Sequence, residues 1–335
     1  MPKTVLAVAV LAILAVLAMA CLIMTRRHGE AFDSRETIFV SIASYRDSEC
    51  SETIASLFEQ ADDPTRVYVG VCEQNSDDPT EACVAQAYHG NIRRVAIPHN
   101  EAKGPTYARY LCSTLFRGET WFVQIDSHTK FVKGWDTKAI RCARSCPSDK
   151  AILTHYPRTI GDYGNDQVGV PVLCRSKFDS NGIPTFESVI MDPPTDDIPR
   201  SVPFVSGGFV FMPGSAVTDV PYDPDLPHLF QGEEILHSAR LWTSGYDFYT
   251  PLENIVYHHY ERKSKPKFWN DIQDYREIQS ATIAKVKKLL GLVPESTILD
   301  YAHGMGSARS LEDYWEFTGV DIAAKTSGSE SKFCR

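Results

Sequence analysis

From Thr37 onward, short apolar runs alternate with segments whose apolar positions recur at helical spacing. Thr37–Ala43 (TIFVSIA) reads as a buried strand. Cys50–Gln60 reads as a helix with Ile54, Leu57 and Phe58 on one face. Further strands are predicted at Arg66–Cys72, Ile92–Ile97, Trp121–Ile125 and Ala151–His155. Pro105 suits the first turn of a helix running to about Phe116. Gly161–Pro203 is rich in Pro, Gly and Asp and reads as a long loop or excursion. After it come a strand at Phe204–Met212, a helix at Glu233–Thr243, a strand at Asn254–Tyr260 and a long helix at Phe268–Leu290. Strands alternating with helices predict an α/β domain with a mostly parallel central sheet. With no internal repeat and no convincing interior linker, one domain over 37–300 is favoured, followed by a C-terminal extension over 301–335.

The first residues follow a different pattern. Thr4–Met24 is 21 residues without a charge, about 31 Å as a helix, enough to cross a bilayer. It is read as a signal-anchor behind a short tail (1–3) and ahead of a polar stem (25–36). Cleavage after Ala18-Met19-Ala20 is the alternative. Lys3 and the pair Arg26-Arg27 leave the orientation nearly balanced. No Asn-x-Ser/Thr sequon marks a lumenal face. The expectation is a single-pass protein of the Golgi or ER with its catalytic domain in the lumen.

Composition narrows the function. A net charge of −9 argues against a nucleic-acid partner, although a local basic cluster can hold a small anion. A hydrophobic share of 43 % excludes general disorder. Cys21 lies in the apolar run. The other eight cysteines contain no CxxC pair, which argues against a zinc ribbon. An even count suits disulfides of a secretory compartment, with reduced buried thiols as the alternative. The pairing is not legible.

Candidate chemistry clusters at strand ends, where ligands of α/β sheets bind. Asp126 and His128 close the strand Trp121–Ile125; two residues apart, they can face the same way while Ser127 points elsewhere. Mixed O and N ligands suit Mn²⁺ (or Mg²⁺). Such an ion would neutralise the diphosphate leaving group of a sugar nucleotide. Tyr257-His258-His259-Tyr260 offers a third ligand, and only one of two neighbours on a strand can reach the same ion. The run from Arg262 through Lys263 and Lys265 to Lys267 is a basic loop able to cover a diphosphate. Lys103-Gly104-Pro105-Thr106 opens a helix whose amides could face phosphate, with Arg109 one turn in. Glu233 and Glu234 could act on an acceptor hydroxyl or orient the sugar. They are also what the first turn of any helix favours. Cys72-Glu73-Gln74-Asn75 could read the uracil edge.

Over residues 37–135 and 203–268 the chain resembles the eukaryotic GlcNAc-transferase family typified by the enzyme that modifies hydroxyproline on Skp1. The likeness rests on IFVSIASYRD, VYVGVCEQN, GPTYARYLC, WFVQIDSHTKFVKGWD, FVSGGFVFM and FQGEEILHSARLW. A more distant likeness runs to the mucin-type polypeptide GalNAc-transferases. The resemblance implies a GT-A (Rossmann-like) fold, a UDP-sugar donor, Mn²⁺, and retention of anomeric configuration. It implies Asp126, His128 and His258 as metal ligands, His258 rather than His259 because the ligand follows the apolar pair Val256-Tyr257. It places Glu233 and Glu234 at the catalytic Gly-Glu position. It assigns Ser44, Arg46, Glu73, Lys103, Arg109, Asp126, Gly207, Gly208, Arg262 and Lys263 to the donor. The implied activity is GlcNAc transfer from UDP-GlcNAc to a hydroxyl of a protein or glycan. Rivals are a UDP-GalNAc or other UDP-hexose transferase, a metal hydrolase, and a catalytically silent sugar-binding protein.

Overall fold

A computed structural model describes residues 36–84, 86–165, 168–262, 264–293, 301–327 and 332–334. The apolar run 4–24 and the stem up to residue 35 lie outside the described residues. Among the described residues, no helix is long and apolar enough to cross a membrane.

The first apolar run forms β1 (Ile38–Tyr45), whose Ile38 to Ile42 are all buried, as a strand covered on both faces requires. α1 (Cys50–Gln60) buries Ile54, Leu57 and Phe58. There follow β2 (Val67–Asn75), β3 (Ile92–Pro98), α2 (Pro105–Ser113), β4 (Trp121–Asp126), β5 (Thr129–Phe131), α3 (Trp135–Ser145), β6 (Ala151–Thr154) and β7 (Arg158–Thr159). The second half holds β8 (Val170–Phe178), β9 (Pro184–Met191), β10 (Arg200–Val202), β11 (Phe209–Pro213), α4 (Ser215–Asp219), α5 (Glu233–Thr243), β12 (Asp247–Thr250) and β13 (Val256–His258). It ends with α6 (Phe268–Asp271), α7 (Tyr275–Leu289), α8 (Leu311–Thr318), β14 (Val320–Asp321) and β15 (Thr326–Ser327).

The central sheet has eight strands in the order β10-β12-β6-β11-β4-β1-β2-β3. It is mixed rather than mostly parallel. β1 pairs parallel with β2 and β4, β2 with β3, and β6 with β12, but β11 is antiparallel to both β4 and β6, and β10 to β12. The reversal of β11 has a consequence for the site. Phe209 pairs with Ile125, so the residues entering β11 lie at the same sheet end as Asp126, which leaves β4.

Three expectations are corrected. The stretch 161–203 is not one long loop. It contains the hairpin β8–β9, turned at Asp179–Ile183, where the Asp179 carboxylate accepts from the backbone N–H of Asn181 and Ile183 and Gly182 takes φ +71°. Phe204–Val205 stay outside the sheet, and β11 begins only at Phe209. The helix expected over 268–290 is broken into α6 and α7, with Ile272 extended. At that break the Asp271 carboxylate accepts hydrogen bonds from Tyr45 and Arg46.

The main core joins the sheet to α5, α7 and α8 through residues such as Phe122, Met212, Leu236, Trp242, Val286 and Tyr314. Described residues beyond 300 thus pack on the same core: the fully buried Tyr314 donates to Pro203 O at 3.1 Å, and a Cys174–Cys334 disulfide ties the chain end to β8. A second disulfide joins Cys50 to Cys83. Cys72, Cys112, Cys142 and Cys146 are free thiols.

Candidate active site

β4 delivers Asp126 to the sheet end, and a tight turn then presents Ser127 and His128 before β5 begins. Thr53 of α1 clamps this turn: its hydroxyl donates to Ser127 O at 2.8 Å and accepts from Thr129 N–H at 2.9 Å. β13 runs antiparallel to β5 with His258 opposite Thr129. His258 Nε2 thereby lies 3.1 Å from Asp126 Oδ2, and the rings of His128 and His258 sit 4.5 Å apart. One ligand atom each from Asp126, His128 and His258 lies within 4.8 Å of the others.

His128 Nδ1 lies 2.8 Å from Asp47 Oδ2. An ionised carboxylate only accepts, so Nδ1 carries the proton and Nε2 keeps its lone pair. Burial lowers the His128 pKa against the pull of Asp47, which favours the neutral ring. Burial opposes ionisation of Asp126, but hydrogen bonding and charge from His258, with the Arg109 guanidinium, hold its carboxyl well below the usual range. A charged oxygen and a bare imidazole nitrogen with a carboxylate behind it are the donors a divalent ion such as Mn²⁺ takes. The residues fit the metal.

Around this triad lies a cleft of about 870 Å³. Arg109 reaches it from α2, 3.2 Å from Asp126 Oδ1 and 2.9 Å from Gly207 O, and it also pairs with Glu233. Glu234 accepts from Gly207 N–H and from the Tyr156 hydroxyl, each at 2.6 Å, and burial raises its pKa. A Cβ on Gly207 would stand 3.3 Å from the Arg109 guanidinium, and one on Gly208 3.3 Å from Pro157. The space these glycines leave is therefore filled by the protein's own side chains. Arg262 faces the cleft from the basic loop, 2.9 Å from Asp47 Oδ2. Lys267 also lines it.

Other sequence candidates lie elsewhere. Ser44 is fully buried, and its neighbours Ala43 and Tyr45 line the cleft instead. Arg46 sits at φ +45°, bound to Glu81 and Asp271, each at 3.0 Å. Glu73 accepts from Cys83 N–H at 2.7 Å and pairs with Arg94 at 2.9 Å, while Gln74 beside it faces the cleft. Lys103 lies over the Tyr107 ring, and it is Gly104 and Pro105 that line the cleft. Lys265 donates to Ser48. Lys263 lies outside the described residues. Ser127 is not idle, since its hydroxyl donates to Asp47 at 2.6 Å. Asp47 and Tyr156 were not singled out from the sequence, although each follows a strand: Asp47 comes two residues after β1 and Tyr156 two after β6.

The family profile described as Glycosyltransferase (GlcNAc) matches residues 37–89 and 79–324. No curated protein matches the sequence. Among solved structures, GalNAc-T7 with UDP, GalNAc and Mn²⁺ aligns with a TM-score of 0.56 at 16 % identity, over 86 % of this chain and 55 % of that one. The chain therefore spans little more than half the length of that enzyme. TarS 1–349 of S. aureus in complex with UDP-GlcNAc aligns at 0.47, with 16 % identity over 76 % of this chain and 66 % of TarS. The mannosyltransferase PcManGT from Pyrobaculum calidifontis, in complex with GDP-Man and Mn²⁺, aligns at 0.46, with 13 % identity over 76 % and 69 %. The architecture is the GT-A-like α/β fold, with a mixed central sheet. With most of its length matched by one profile, the chain belongs to the GlcNAc glycosyltransferase family.

Proposed function

We propose that the protein transfers N-acetylglucosamine from UDP-GlcNAc to a hydroxyl of a protein or glycan, with Mn²⁺ (or Mg²⁺) required and anomeric configuration retained. The observation that carries this reading is the meeting of Asp126, His128 and His258 in a cleft edged by Arg262 and Lys267. When bound there, the cation supplies charge neutralisation for the departing diphosphate. Arg262 and Lys267 add positive charge on the same side. Arg109 fixes Asp126 and the Gly207 carbonyl. Glu234, held by Tyr156 and Gly207 N–H, orients the transferred sugar or the acceptor hydroxyl. In the transfer the bond from sugar C1 to the phosphate oxygen breaks and C1 bonds to the acceptor oxygen on the same face. The acceptor proton passes to the leaving phosphate.

Incubation of the lumenal domain with a panel of UDP-sugars, with Mn²⁺ or with chelator, tests this. UDP release from UDP-GlcNAc that needs metal and is stimulated by acceptor is the expected result. Preference for UDP-GalNAc would move the chain to the rival donor. Release unaffected by acceptor would indicate a hydrolase, and binding without turnover a silent sugar-binding protein. A lumenal, membrane-anchored location is part of the proposal, supported by the Cys50–Cys83 and Cys174–Cys334 disulfides, which persist in oxidising compartments. Digestion of the domain by protease added to intact microsomes would overturn it.

A further inference from the structure

One carboxylate oxygen joins the two halves of the donor site. Asp47 Oδ2 accepts from Ser127 Oγ at 2.6 Å and from His128 Nδ1 at 2.8 Å, and pairs with Arg262 at 2.9 Å. Its other oxygen accepts from Glu49 N–H at 3.0 Å, which fixes the carboxylate on the loop entering α1. The side chain is 1 % exposed. A carboxylate this buried is costly unless it is paired and hydrogen-bonded, and here both of its oxygens accept hydrogen bonds and one also meets Arg262. His128 follows β4 and Arg262 lies in the basic loop after β13, and among the described residues Asp47 Oδ2 is the carboxylate oxygen that meets both.

We propose that Asp47 is a positioning residue that ties metal binding to the placement of the basic loop. Toward His128 it fixes the tautomer and ring plane that leave Nε2 bare. Toward Arg262 it supplies the anchor that holds the guanidinium at the cleft edge, where a nucleoside diphosphate would lie. One side chain thereby pre-organises both the cation ligands and the cationic side chain meeting the phosphates, so neither must be ordered at the moment of binding. This inference rests on the Mn²⁺ and UDP-sugar reading above. A simpler role is conceivable on charge alone: a carboxylate beside Arg262 could merely compete with phosphate for it. The two roles predict opposite signs.

The test uses the isosteric variant Asp47→Asn, with Asp47→Glu as a second, and measures binding rather than turnover. Mn²⁺ alone should bind Asp47→Asn about 10–100-fold more weakly than wild type, the usual cost of removing the carboxylate behind a metal-bound histidine. Arg262→Gln should leave that metal affinity unchanged. UDP at saturating Mn²⁺ should bind both single variants more weakly, and the loss in the double variant should be smaller than the sum of the two single losses, because Asp47 acts on UDP partly through Arg262. Thermal unfolding checks that each variant is folded. If Asp47→Asn does not fold, Asp47→Glu carries the same expectation, since its extra methylene cannot keep one oxygen on both donors. Wild-type metal affinity in the folded variant, additive losses in the double variant, or tighter UDP binding would overturn the proposal. A wild-type protein that binds neither Mn²⁺ nor UDP would instead refute the functional reading on which it rests.

Discussion

His258 and Asp126 are separated by 132 residues in the chain, yet Nε2 of one lies 3.1 Å from Oδ2 of the other. The next residue behaves differently. β13 ends at His258, and His259 turns its Nδ1 to Glu49 Oε2 at 2.7 Å. Adjacent histidines thus serve different carboxylates. His258→Ala should lower Mn²⁺-dependent transfer by about 100-fold or more, since losing even an outer partner of a ligand costs about 10–100-fold. His259→Ala should stay within a few-fold of wild type. Initial rates at saturating donor and metal decide, and the reverse ranking would make His259 the ligand.

Tyr156 and Gly207 share the two oxygens of Glu234. Removing the hydroxyl leaves a buried carboxylate short of one bond, worth about 1.5–3 kcal/mol when one partner is charged. Tyr156→Phe should therefore lower kcat/KM by about 10–100-fold, and Glu234→Gln by at least as much, with Mn²⁺ affinity unchanged in both. Wild-type rates in Glu234→Gln would return the pair to a purely architectural role.

Asp136 is fully buried. It takes the Arg66 guanidinium at 2.6 Å and the backbone N–H of Asp62 and Asp63 at 2.8 and 3.1 Å. Asp136→Ala removes the carboxylate from a buried guanidinium and from two N–H donors, so unfolding free energy should fall by about 3–5 kcal/mol. Urea titration measures it. A loss below about 1 kcal/mol would show that water reaches Arg66 freely.

His155 is fully buried beside Phe209, and burial pushes its pKa from 6.5 down to about 3. Only the unfolded chain takes up this proton between pH 6.5 and 3. Its contribution is therefore intact above pH 6.5 and is lost progressively on acidification through that window. The loss amounts to about 2 kcal/mol at pH 5. His155→Leu should shrink the stability difference between pH 7 and pH 5 by about that amount, seen in denaturant titrations at the two pH values. An unchanged difference would mean that the folded protein protonates His155 as readily as the unfolded chain does.

Parts of this arrangement are readable along the chain because they depend on neighbours. The apolar spacing that marks a helix over Cys50–Gln60, and the one over Glu233–Thr243, match α1 and α5 end to end. The hairpin β8–β9 was hidden because Pro171, Gly182 and Pro184 make its composition look like loop; its stability comes from cross-strand pairing, which composition does not report. The break between α6 and α7 was hidden too. Phe268–Leu290 has helical spacing throughout, but Asp271 is drawn to Tyr45 and Arg46, more than 220 residues earlier.

The sequence by itself determined that this is an α/β chain with buried strands, that Asp126 and His128 share a strand end, and that a basic loop follows a histidine pair. Each of these follows from residue type and local period, which dictate burial and the direction of a side chain. Only the tertiary structure decided that β11 runs antiparallel and sets Gly207 and Gly208 beside Asp126. It alone set His258 beside Asp126 and His259 beside Glu49, and brought Asp47 behind His128 while drawing Ser44, Glu73 and Lys103 away from the cleft. Those outcomes depend on strand register and on hydrogen bonds between residues far apart in the chain, and a linear pattern specifies that a group is buried without specifying its partner.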